Sequence, residues 1–359
     1  MMQNNQAIPF NKENFKQILS VPFALVILIS IPSAIIADFF KIPLAWFLGP
    51  MLITSLASLM GLKIKMPRLV LSSILILLGL YIGNYIDKNL FAQMHQWIWT
   101  SLIMLIYIIF SVLIVSKYLQ KFSKYETKTS IFSAAPGALG PLMILAEDEK
   151  TDLSQVATSH LIRLIIIITV FPFVVSSFYN VESVEMAQEI LKDQNLFHLL
   201  ILVISSIILI YFFDKLKIPA ALLSGTLVAS GFLQITEIAT YQISPNIIDY
   251  CLLILGASVG CRFANKTFSE ITRNALHSFV ATFLLVVLGL IAALIAGLII
   301  DKNFFTLLLS YCPGGIYEVA VIAIFFDLDP EFVSFHHIIR LLMILFIVPL
   351  MLKIISKKT

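Results

Sequence analysis

Ten stretches of this chain are apolar over close to the ~20 residues that cross a bilayer core. They fall at about 20–37, 43–60, 69–86, 97–116 and 153–178, and again at 196–213, 218–235, 247–263, 277–300 and 332–352. Two more, about 129–147 and 304–326, are apolar but broken by a Pro-Gly pair. A soluble fold cannot bury this much. Hydrophobic residues make up 59% of the 359 and charged residues 13%, against roughly 45–50% and 25% in soluble domains. The expected class is an all-α polytopic membrane protein whose first partner is the lipid bilayer. The longest polar connection, 179–195, is too short to fold alone. This leaves no soluble domain for catalysis or for reading DNA. A net charge of +3 gives no nucleic-acid signature either. The run from Leu19 to Ala37 follows a polar leader carrying Lys12 and Lys16. It is long enough to span and lacks a small-residue cleavage site, so it reads as an uncleaved first helix.

The chain repeats itself. Lys41-Ile42-Pro43 recurs as Lys217-Ile218-Pro219, 176 residues on. From there the offset is 177: Gly79 and Gly83 match Gly256 and Gly260, Pro136-Gly137 matches Pro313-Gly314, and Asp152 matches Asp329. His160 and Arg163 match His337 and Arg340, and Pro172 matches Pro349. One register across so many unusual residues indicates a duplication. The expected organisation is a cytoplasmic leader at 1–18, a first membrane repeat at 19–180, a polar linker at 181–195 and a second repeat at 196–359.

Basic residues select the topology. If both broken segments cross, giving twelve spans, 14 Lys/Arg lie inside and 8 outside. If both dip in and return, leaving five crossings per half, 18 lie inside. Only Lys41, Lys88, Lys192 and Lys302 then lie outside, while Arg163 and Arg340 stay within the membrane. The positive-inside rule favours the second arrangement. Five is odd, so the halves would run in opposite senses as an inverted repeat, with both termini cytoplasmic.

The broken segments are Ser133-Ala134-Ala135-Pro136-Gly137-Ala138-Leu139-Gly140-Pro141 and Ser310-Tyr311-Cys312-Pro313-Gly314-Gly315-Ile316-Tyr317-Glu318. Proline removes a donor and glycine permits positive φ, so a helix breaks there. The freed N–H and C=O groups cannot face lipid; they must be buried in protein or line a wet cavity. A helix restarting at that depth aims its dipole and orphan N–H groups at the midplane, where an anion can bind.

Arg163 and Arg340 each follow an aspartate, Asp152 or Asp329, by 11 residues. With the aspartates as N-caps, both arginines lie ~16 Å in, near the bilayer centre. His160 and His337 sit one turn earlier on the same face. A central arginine costs ~2.5–3.5 kcal/mol even on the lenient scale, so each is expected to face the bundle interior with an anionic partner or ligand. Glu318 is the available acid; its first-half counterpart is Pro141. Glu318 is read as a site for H⁺ or Na⁺, or as a counter-ion to Arg340. His336 adjoins His337 but points ~100° away, a poor chelate, and no other pairing of histidine or cysteine suggests a metal. No cofactor is expected. The GxxxG pairs read as close helix packing.

The tandem segments PGALGPLMILAEDEKTDLSQVATSHLIRL and CPGGIYEVAVIAIFFDLDPEFVSFHHIIRL resemble the AbrB family of bacterial membrane proteins, over about residues 20–355. In that family each half ends in a PGG…E-type segment, an acidic turn and an H-x-x-R-L helix. The first half departs at Ala138 and Pro141. The resemblance implies the bacterial inner membrane. The family's labels as an ammonia monooxygenase or a transcriptional regulator find no copper or iron ligand set and no DNA-reading domain in this sequence. The function expected is a secondary transporter, not an enzyme, moving a small anionic solute by alternating access with H⁺ or Na⁺ as candidate coupling ion. The expected site comprises Pro136, Gly137, Gly140, His160, Arg163, Pro313, Gly314, Gly315, Glu318, His337 and Arg340. The rival is a non-transporting membrane sensor or scaffold that affects gene expression. A homo-oligomer is compatible with either.

Overall fold

A computed structural model describes residues 12–86, 88, 94–137, 139–178, 196–239, 241, 246–264 and 266–356. The expected linker 181–195 and most of the leader lie outside these residues. The described residues form helices and no strands. In chain order the helices are α1 (Lys12–Ile18), α2 (Val21–Phe39), α3 (Ala45–Leu59), α4 (Arg68–Gly83) and α5 (Trp97–Ser123). Then come α6 (Thr127–Ala134), α7 (Leu139–Asp148), α8 (Leu153–Phe178), α9 (Leu196–Lys215) and α10 (Ala221–Thr236). The last are α11 (Asn246–Cys261), α12 (Phe268–Gly297), α13 (Phe304–Tyr311), α14 (Ile316–Phe325) and α15 (Pro330–Ser356).

Among the described residues, six helices are long and apolar enough to cross a membrane: Val21–Phe39, Trp97–Ser123, Leu153–Phe178, Phe197–Lys215, Asn274–Gly297 and Pro330–Ile354. Four other expected spans form α3, α4, α10 and α11, helices of 15 or 16 residues. Their apolar stretches include turn residues that cannot be helical. Lys41 and Leu44, and at the same places in the repeat Lys217 and Ala220, have φ of 53–56°. These left-handed residues around each Lys-Ile-Pro delay α3 and α10 to Ala45 and Ala221.

The helices gather into two compact units that cut across the repeats. One unit contains α1–α4 and α9–α11; the other contains α5–α7, most of α8, and α12–α15. In the first, α3 packs against α11 and α4 against α10, so each helix meets one from the other half. The GxxxG pairs make this approach feasible. A Cβ on Gly79 would stand 1.9 Å from Thr226 Oγ1, and one on Gly256 would stand 2.2 Å from Phe47 O. Gly83 and Gly260 press equally closely on Ser230 and Thr54. Hydroxyls then bond across: Ser58 Oγ donates to Gly260 O at 3.0 Å and Ser230 Oγ to Leu80 O at 3.0 Å. Between apolar helices in lipid, close backbone contact and such bonds replace the hydrophobic driving force.

In the second unit, α5 fixes the sense of the broken segments. Its start lies beside the start of α15, with the Trp97 ring 5.2 Å from that of Phe332. Its end lies beside α6, where Gln120 Nε2 donates to Ser130 Oγ at 2.9 Å. α6 in turn starts beside the start of α8, where the Asp152 amide donates to Thr129 Oγ1. Each broken segment returns to the end at which it began. Lys128 at the start of α6 pairs with Glu149 just past α7 at 2.7 Å. Thr306 at the start of α13 donates to Asp329, just past α14. Both are therefore helical hairpins, and they begin at opposite ends of the 27-residue α5, about 40 Å apart.

Candidate functional site where the two hairpin tips meet

Proline breaks both hairpins in the same way. Steric clash pushes the residue before a proline out of the helical region. Ala135 and Cys312 accordingly have ψ of 130° and 132°. The chain then turns tightly, with Gly137 N donating to Ala135 O at 3.0 Å and Gly314 N to Cys312 O at 2.8 Å. Helices α6 and α13 thus end at the turn with buried carbonyls that have no partner within the helix and can accept further bonds.

The arginines fill that need. Arg163 on α8 donates through Nη1 to Ala135 O and through Nη2 to Ser133 O. Arg340 on α15 donates through Nη1 to Cys312 O and through Nη2 to Gly314 O, the latter at 2.6 Å. Ala135 and Cys312 are equivalent residues of the repeat. Each guanidinium also sits at the negative end of a half-helix dipole. Both side chains are fully enclosed, at 2% and 0% exposure. The sequence-based expectation of an anionic partner is thereby revised: the described partners of both arginines are backbone carbonyls, freed by the prolines. Each Nε is left buried without a hydrogen bond.

The tips touch. Gly137 has φ of 109°, and a Cβ there would stand 2.9 Å from Arg340 Nη2 and 3.2 Å from Gly314 O. Gly314 is needed for space rather than conformation, since its Cβ would meet Val319 Cγ2 at 2.5 Å. Glu318 lies in the first turn of α14 with its carboxylate turned back: a Cβ on Gly315 would be 2.0 Å from Oε2. An acid so placed complements the positive end of α14. The matching end of α7 carries Pro141 and no acid. Gly140, in that first turn, has nothing within 4 Å of where its Cβ would stand.

The histidines diverge despite their shared register. His160 Nε2 contacts Phe132 O on the hairpin at 3.0 Å, whereas His337 Nδ1 contacts Val333 O of its own helix at 3.0 Å. The aspartates diverge too. Asp152 caps α8, accepting from Gln155 N at 3.0 Å. Asp329 was expected to cap α15 but spends its carboxylate on Lys302, at 2.6 Å, and on Thr306. Lys302 has Tyr125 as its first-half counterpart, so only the second hairpin acquires this ion pair. Sequence reasoning missed two tyrosines. Tyr107, at the middle of α5, stacks edge-on against Tyr311 at 6.2 Å and lies within electrostatic range of both guanidiniums. Tyr107 has no polar counterpart in the other half, so the repeat could not flag it. Among the described residues, no three His, Cys, Asp or Glu side chains are grouped to hold a metal ion.

A model of the family described as "Transition state regulatory protein AbrB" matches residues 46–356. The chain belongs to this AbrB family. It is 22% identical over 319 residues to a protein of Escherichia coli (strain K12) named "Putative regulator AbrB", covering 88% of this chain and 91% of that one. It is 22% identical over 290 residues to "Uncharacterized protein YhjN" of Bacillus subtilis (strain 168), covering 76% and 75%. No solved structure matches it. For this AbrB-family chain, a multi-pass helical membrane architecture thus stands together with a buried pair of cationic hairpin tips.

Proposed function

We propose that this protein is a secondary transporter of a small anionic solute in a bacterial inner membrane, working by alternating access. The observation that carries the reading is the meeting of Gly137 with Arg340 and Gly314, two hairpin tips brought together from opposite ends of α5. Irregular backbone at membrane depth is tolerated where it is buried in protein or lines a wet cavity, and intramembrane charge by default marks a solute or ion pathway. Two arginines hold the tips beside one buried acid, Glu318; among the described residues the other buried acid, Glu331, lies away from the tips in the first turn of α15. Arg163 holds Ala135 O and Arg340 lies beside Gly137, two residues on, so two like charges meet at one tip, where a bound anion would balance them. The solute seat is the start of α7, whose dipole has no acid of its own and whose Gly140 offers open space. Opposed hairpins fit an inverted repeat with both termini cytoplasmic, the arrangement in which rocking of one repeat exposes a fixed site to either side. Glu318 is the candidate site for H⁺ or Na⁺ coupling. The reading of this chain as a regulator rests on a relative's name. A scaffold has no use for paired, buried, cationic tips.

The test is counterflow in proteoliposomes with a panel of labelled mono-, di- and tricarboxylates and inorganic oxyanions. Exchange of one class by wild-type protein, lost in Gly137→Leu that still inserts, supports the reading. Exchange unaffected by Gly137→Leu, or no exchange of any anion by folded protein, refutes it.

A further inference from the structure

Seven residues into α15, His336 is fully enclosed and stands about 10 Å from the start of the helix. Its Nδ1 is 2.9 Å from Phe332 O, and its Nε2 is 2.7 Å from Thr100 Oγ1 on α5. A carbonyl can only accept, so Nδ1 carries a hydrogen in every charge state. A hydroxyl both donates and accepts. Thr100 Oγ1 also lies 3.0 Å from Trp97 O, a second acceptor for its hydrogen. In the neutral ring, therefore, Thr100 donates to Nε2. When Nε2 gains a proton it donates to Thr100 Oγ1, and the hydroxyl hydrogen swings to Trp97 O. Both states are fully hydrogen-bonded, and the exchange moves one hydrogen and no heavy atom. Tyr311 Oη, donating to Thr100 O at 2.7 Å, holds α13 and α5 in this geometry.

Burial costs a charged ring its hydration, and the aromatic rings around it offset part of that cost. The imidazole lies between aromatic rings, with Phe332 at 4.1 Å, Phe335 at 5.4 Å, Trp97 at 6.2 Å and Tyr311 at 6.3 Å between ring centres. Aromatic faces attract a desolvated cation within about 6 Å. Charged and titratable groups are few around it. On α15 itself these are Glu331, His337 and Arg340; α13 presents Tyr311; Lys302, before α13, covers the Phe332 ring at 5.8 Å. The first turn of α5 presents none. The other buried histidines lack this arrangement, because His160 Nε2 faces a carbonyl and His337 bonds no side-chain hydroxyl. The repeat counterpart of His336 is Ser159, so the feature belongs to one half alone.

We propose that His336 is a reversible proton-binding site, with Thr100 as the hydroxyl that reverses its hydrogen bond on protonation. Its use as the coupling site for H⁺ rests on the transport reading above; the binding itself does not. The test is therefore made without solute, by nitrogen NMR of the full chain in lipid vesicles with labelled histidine. Among the six histidines, the signal assigned to His336 converts from the Nδ1–H form to the doubly protonated form between about pH 8 and pH 4. That signal is missing in His336→Gln. In Thr100→Val the midpoint moves acid-ward by about one pH unit, because a hydrogen bond to a charged donor is stronger than one to a neutral ring. Should His336→Gln fail to insert, the Thr100→Val shift carries the assignment. A His336 signal that does not titrate over that range, or a midpoint indifferent to Thr100→Val, overturns the proposal.

Discussion

Replacing Gly137 by alanine isolates what the meeting of the tips requires. The backbone there has φ of 109°, a conformation that costs a residue with a side chain about 1–3 kcal/mol. The new methyl would also lie 2.9 Å from Arg340 Nη2 and 3.2 Å from Gly314 O. Both contacts are too close, and neither neighbour is free to retreat. Arg340 is held by Cys312 O and Gly314 O, and shifting it strips a donor from a buried carbonyl, worth about another 1–3 kcal/mol. The expected loss is thus roughly 2–6 kcal/mol. Gly140→Ala provides the internal control three residues away. No atom lies within 4 Å of its Cβ position, and inside α7 alanine is better than glycine by about 0.5–1 kcal/mol. Thermal unfolding of the two purified variants in one detergent should move in opposite directions, Gly137→Ala down and Gly140→Ala level or up. Equal melting of Gly137→Ala and wild type would falsify the tip geometry.

Gly256→Val should force α11 off Phe47 O, which a Cβ would approach to 2.2 Å; the variant is expected to insert poorly or melt far below wild type, while Gly61→Asn, at a φ of 87° in open space, should be nearly silent. Asp329→Asn weakens the pair with Lys302, whose side chains are only 14% and 29% exposed; a loss of about 1–2 kcal/mol is expected, with Asp152→Asn, a cap for which asparagine serves as well, as the neutral comparison in the same melting assay. Arg340→Gln should cost roughly 2–4 kcal/mol by leaving carbonyls short of donors. Glu318→Gln should stay folded yet lose ion-driven uptake, and a double-mutant cycle showing strong stability coupling between the two with driven uptake intact would make Glu318 a mere counter-ion. Single cysteines placed at Arg262, Lys266 or Arg273, between α11 and the first turns of α12, should react in a cysteine-free protein with impermeant reagent only from the cytoplasmic side; labelling from the opposite side alone refutes the proposed inverted topology.

Membrane class, helical content and the location of the two breaks were legible in the chain itself. Each follows from a local rule: apolar run length, proline's missing donor, and the need to satisfy backbone groups inside lipid. The 177-residue register likewise paired Arg163 with Arg340 and Gly137 with Gly314 before any coordinates existed. Local rules could not say what an arginine at that depth would hold. Charge alone suggested an acid, whereas the folded chain offers carbonyls that proline had just released, because the tip of each hairpin and its arginine lie equally far from the turn that joins them. Nor could identical register predict that Asp152 would cap a helix while Asp329 binds Lys302, since the deciding partner comes from outside the repeat pattern. The contact of Gly137 with Arg340, the approach of α3 to α11, and the hydroxyl beside His336 join residues far apart in the chain. Packing alone brings such pairs together, and sequence spacing carries no trace of it.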